Sequence, residues 1–133
     1  MAERRTISPH EIEVVRWLLA NGAMKDVSEY HAESLEGCEV VSACPCGCAS
    51  IDFVFPGSTK TAGLRSTSII AEAITRWPDG TQAGVMLWGN EGRLLGIELY
   101  EQDPVADRFP TIECLRRWVI SVAEREREAK TAP

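Results

Sequence analysis

The apolar positions change period along the chain, and each change marks a different kind of element. Ile12, Val15, Leu18 and Leu19 recur at three- and four-residue spacing, the stripe of a helix that covers a core. The ends of this helix are set locally. Ser8 and Glu11 form a capping box around Pro9 in the first turn, and Asn21-Gly22 supplies the stop. A second helical stretch is expected over residues 25–35, with Val27, Tyr30 and Leu35 as its apolar side and Gly37 after it.

From Cys38 onward the period falls to two. Strands are expected over residues 39–43 and 50–55, joined as a hairpin through Cys44-Pro45-Cys46-Gly47-Cys48, with a Gly/Ser/Thr/Lys loop over 56–65. A long strand over 68–77 reverses at Pro78-Asp79-Gly80, where proline presets the first turn residue and glycine accepts positive φ. Its partner covers 82–88, and Asn90-Glu91-Gly92 turns the chain into a strand over 94–100. In that strand Leu95, Ile97 and Leu99 are expected to face the core, and Gly96, Glu98 and Tyr100 a partly wet face. Trp77 and Trp88 are expected to flank the meander turn and pack across it. After Phe109-Pro110, Ile112, Leu115, Val119 and Val122 predict a last helix whose charged tail carries the Glu126/Lys130 pair. The expected fold is α+β: one domain over residues 1–133, an antiparallel meander of about five strands with N- and C-terminal helices on one face, and solvated ends at 1–7 and 124–133.

Composition narrows the function classes. A chain of 133 residues can bury a core without covalent staples. With 14 Lys+Arg against 20 Asp+Glu, the net charge of −6 repels phosphate backbones and anionic lipid, so neither nucleic acid nor membrane is an expected partner. The N-terminal residues lack a secretory apolar stretch, and no segment approaches a membrane span, so a cytoplasmic location is expected. Five cysteines, an odd number in a reducing compartment, argue against a disulfide framework.

The chemistry is concentrated in Cys44, Cys46 and Cys48. In an extended strand these thiols would stand about 6.6 Å apart, at about 3.3 Å per residue, too far to share a metal. Pro45 and Gly47 are the residue types that bend a chain enough to bring them together. Zinc is the ion such thiolates would take, and it needs a fourth donor. Cys38, Cys114, His31 and Asp52 are the candidates, none adjacent to the turn. His10, on the first turn of the first helix, reads as an ordinary exposed residue. Packed thiols, a metal site, or thiol chemistry with Cys46 or Cys48 as nucleophile all remain open on these residues.

Leu35-Glu36-Gly37, the run from Cys44 to Phe53 and the run from Gly89 to Glu101 together resemble a family of small bacterial proteins, a domain of unknown function. Its most specific part is the hairpin motif Cys46-Gly47-Cys48-Ala49-Ser50-Ile51. The resemblance covers most of residues 8–120 and implies a free-standing domain without bringing an activity. The expected function is a small binding or interaction module for a protein or small molecule, with the cysteine turn as its candidate metal site. The alternatives are an immunity-type or phage-related inhibitor acting through an acidic surface, and a metal- or thiol-dependent enzyme using Cys46 or Cys48. A homodimer through exposed strand edges is a further expectation.

Overall fold

The computed structural model describes residues 4–42, 47–55, 68–103 and 106–117. Helix α1 (Pro9–Asn21) begins as its residues dictate: the Ser8 hydroxyl accepts the Glu11 amide at 3.1 Å, and the Glu11 carboxylate accepts the Ser8 amide at 2.8 Å. Val14, Val15 and Leu18 on its inner face are fully buried. Gly22 closes the helix by donating to Leu18 O, and a Cβ there would meet the Glu72 carbonyl at 2.7 Å.

The strands are β1 (Arg5–Thr6), β2 (Glu39–Ser42), β3 (Ile51–Val54), β4 (Ser68–Arg76), β5 (Gln82–Asn90), β6 (Arg93–Asp103) and β7 (Leu115–Arg117). They form a seven-stranded sheet in the order β1-β2-β3-β6-β5-β4-β7, and every neighbouring pair is antiparallel. The β2–β3 hairpin and the β4–β5–β6 meander lie where the two-residue period and the turn residues put them. Gly80 and Gly92 have φ of 93° and 80°, the conformation that made glycine the turn signal. Side chains alternate across this sheet, so α1 covers one face, where Val40, Phe53, Ile97, Leu99, Val85, Leu87, Ala71 and Ala73 join its core.

Four expectations are corrected. The sheet has seven strands rather than about five, because Arg5–Thr6 and Leu115–Arg117 add at its edges. Residues 25–35 hold no α-helix. The Asp26 carboxylate accepts the Ser28 amide at 2.9 Å, a local turn that competes with a helical start, and only Ala32–Leu35 coils, as a 3₁₀ turn. The predicted last helix is a 3₁₀ turn at Ile112–Cys114 followed by β7, since Thr75, Ile74 and Ala73 offer Leu115, Arg116 and Arg117 a strand to pair with. Its remainder, with Val119, Val122 and the charged tail, lies outside the described residues, as do Cys44, Cys46 and the whole loop over 56–65. Trp77 and Trp88 do not meet across the turn, for Trp88 stands opposite Ile69 near the other end of the hairpin.

One detail of β6 also departs from simple alternation. The register shifts between Trp88 and Gly89, and this irregularity sends Leu94 into the core beside Ile97, while Leu95 is buried outside that cluster. Among the described residues, no helix is long and apolar enough to cross a membrane.

Candidate functional site at the cysteine turn

The cysteine turn lies at the end of the sheet where β2 finishes and β3 begins. A cavity of about 600 Å³ opens there, between the first turn of α1, the β2–β3 end and residues 107–109. Cys48 reaches its wall because the chain before β3 is pinned twice: the Ala49 amide donates to Ala106 O at 2.9 Å, and Ser50 Oγ accepts the Leu99 amide at 2.8 Å. Cys48 is buried, with Sγ 3.2 Å from Ser50 Oγ. The Ser50 hydroxyl is thereby held between a backbone amide and a sulfur.

Across the cavity, α1 contributes His10 and Glu11, both of which line it. Glu11 is 5% exposed yet carries a charge, because Arg5 grips it with two bonds of 2.8 and 2.6 Å. Burial works to raise the Glu11 carboxyl, but the Arg5 guanidinium and the Ser8 amide and hydroxyl outweigh it and hold the carboxyl below the ordinary glutamate range. Arg108, also on the lining, lies 3.4 Å from Asp79 and 3.5 Å from Asp107. Both arginines of the cavity therefore face carboxylates. The helix N-terminus is likewise closed by its own capping box, leaving Ser8 and Glu11 no amide to offer an anion.

Of the residues singled out by the sequence, Cys48 is on this cavity, and Cys44 and Cys46 lie outside the described residues. The four fourth-donor candidates are elsewhere. Cys38 is buried in the core, bonded to Glu39 O and Val54 O, and burial first, with Glu39 and Glu11 nearby, pushes its thiol up. Cys114 is at the far edge of the sheet beside β7. His31 is exposed ahead of the Ala32–Leu35 turn. Asp52 points to the face away from α1, two residues along β3 from buried Ser50.

Sequence reasoning missed that His10 and Cys48 line one cavity, and missed the Arg5–Glu11 pair. The helical position of His10 was legible, but that the first turn of α1 shares a cavity with the β2–β3 end was not. Among the described residues, no three His, Cys, Asp or Glu side chains converge as a metal cluster. No protein-family model, no curated protein and no solved structure matches the chain.

Proposed function

We propose that this chain is a small binding module whose working end is the cysteine-turn cavity, where Cys44, Cys46 and Cys48 hold a thiophilic divalent ion such as zinc with His10 as the fourth donor. The observation that carries this reading is the placement of Cys48 and His10 on one cavity. Thiolate and imidazole are the donor set that zinc prefers. Ser50 lies beside that sulfur: its oxygen accepts the Leu99 amide at 2.8 Å and the Cys48 thiol at 3.2 Å, and its hydroxyl would turn its proton to the sulfur once a metal had displaced the thiol proton. Such an outer donor is what orients a metal-bound thiolate.

The alternative readings find less support. A thiol nucleophile needs a cation or base to hold it ionised; Arg5 and Arg108 both face carboxylates, which leaves His10, on the same cavity, as the base such a nucleophile would use. A dimer through sheet edges would have strands of only two and three residues to build on at β1 and β7.

Elemental analysis of the purified chain with a thiol titration under denaturing conditions tests the proposal. About one zinc per chain is expected, with three thiols protected until a chelator is added. His10→Ala should weaken zinc retention against a competing chelator by roughly ten- to a hundredfold while leaving the thermal transition of the metal-free chain in place. A metal-free protein that takes up no added zinc, with all thiols titrating freely, would overturn the metal site.

A further inference from the structure

A second cavity, of about 850 Å³, lies at the same end of the sheet and independently of the cysteine turn. Its floor is the face away from α1. Across that face Tyr100, Gly84, Ile74 and Arg116 stand in one row on β6, β5, β4 and β7. Gly84 matters because the Tyr100 ring occupies the space a side chain would fill: a Cβ there would sit 2.0 Å from the ring. The ring thus crosses β5 and delivers its hydroxyl to Glu72 at 2.6 Å. That bond fixes the ring flat, so the floor is an aromatic surface continued by Ile74.

Two arginines line the cavity beside this floor. Arg116 is directly opposite Ile74, and Arg76 follows two residues along β4, a diagonal separation of about 7–8 Å. Arg76 donates to the Gln82 amide oxygen, and Arg116 to the carbonyls of Glu113 and Leu115. Neither forms an ion pair among the described residues, in a chain of net charge −6. Two carboxylates also line the cavity. Glu113 is engaged by its own amide and the Thr111 hydroxyl, which hold it below the ordinary range. Glu101 remains to repel additional negative charge.

We propose that this cavity binds a small aromatic monocarboxylate, its ring stacked on Tyr100 and Ile74 and its carboxylate between Arg76 and Arg116. The volume is within the range of small-molecule sites, and an apolar floor with a few convergent polar groups is their common form. Two guanidiniums recognise one planar carboxylate, and Glu101 disfavours a dianion or a phosphate ester.

The test titrates the full chain with 2-naphthoate, and in parallel with the neutral 2-naphthalenemethanol, by calorimetry and by amide chemical shifts. Saturable binding of the acid is expected, at least about tenfold tighter than the alcohol and weakened about tenfold by Arg116→Gln or Arg76→Gln. Shifts should centre on Ile74, Gly84 and Tyr100. Both arginines are exposed, and thermal melts of the variants establish that they fold. Equal affinity for acid and alcohol, binding unchanged in both folded variants, shifts confined to other residues, or no saturation at millimolar acid would each overturn the proposal.

Discussion

Asp52 carries an unusual burden for one residue. Its carboxylate points to the face away from α1, opposite Gly96, and its Oδ1 is buried without a hydrogen-bond partner. Burial, and then the charge of Glu98, push its pKa up. A raised carboxyl pKa means that the folded state holds its proton longer than the unfolded chain. Its contribution is therefore most favourable below the unfolded pKa and is lost as pH rises through the folded value. Asp52→Asn should raise stability at neutral pH by about 1 kcal/mol, and the gain should vanish in acid, where both side chains are neutral. Urea melts at several pH values measure it.

Gly84 and Tyr100 work as a pair. Gly84→Ala should expel the ring, break the bond to Glu72 and cost about 1–3 kcal/mol. Tyr100→Phe should cost only about 1 kcal/mol, because the packing survives. Burial first, then the bond to Glu72 and its charge, raise the Tyr100 pKa well above the ordinary range. The stability linked to this phenol is intact below the unfolded pKa and lost as pH climbs through the folded one. An ultraviolet alkaline titration should show one of the two tyrosines ionising late or only with unfolding.

Among the elements, α1 shows how local chemistry and distant pairing combine. Its capping box was readable because both partners lie within four residues, and the structure has both bonds. What could not be read is that Arg5 would join Glu11, since that contact depends on β1 lying against β2. Glu11→Gln keeps the size but removes the charge, and should cost about 1.5–3 kcal/mol at neutral pH. The Glu11 carboxyl is held low, so its stabilisation is present above the unfolded pKa and lost as pH falls through the folded one. The deficit of Glu11→Gln should therefore shrink below about pH 4, which denaturant melts will register.

β7 teaches the opposite lesson. Ile112 and Leu115 are spaced like one face of a helix, yet Leu115–Arg117 is a strand. Three residues carry too little pattern to identify a strand, and the edge of β4 decides the matter by offering hydrogen bonds that no local signal advertises. The same edge is covered beyond β7 by the chain after α1, where Glu72 donates to Gly22 O and Met24 to Ile70 O.

At the scale of the molecule, α1 is the one α-helix among the described residues, and the sheet face it covers depends on it. Leu18→Ala, at a fully buried position of α1, should cost about 2–5 kcal/mol, seen as a lowered denaturant midpoint. The other face carries Asp52, Glu98, Trp88, Met86 and Tyr100, all half-buried, with Trp88 bonded to Glu98 and Tyr100 to Glu72. Both cavities open at the end of the sheet marked by the cysteine turn, one lined by α1 and one on the face away from it.

The sequence by itself determined the elements whose signals are local: the capped helix, the β2–β3 hairpin, and the meander with its glycine turns. Capping, positive φ and side-chain alternation act over two to four residues, so they are written in neighbouring letters. Tertiary structure alone decided which residues share a site. It put His10 and Cys48 on one cavity, brought Arg5 to Glu11 and Tyr100 across Gly84 to Glu72, and turned the segment after Thr111 into an edge strand. These contacts join positions far apart in the chain, and their energies depend on burial and strand pairing that exist only once the sheet has closed over its core.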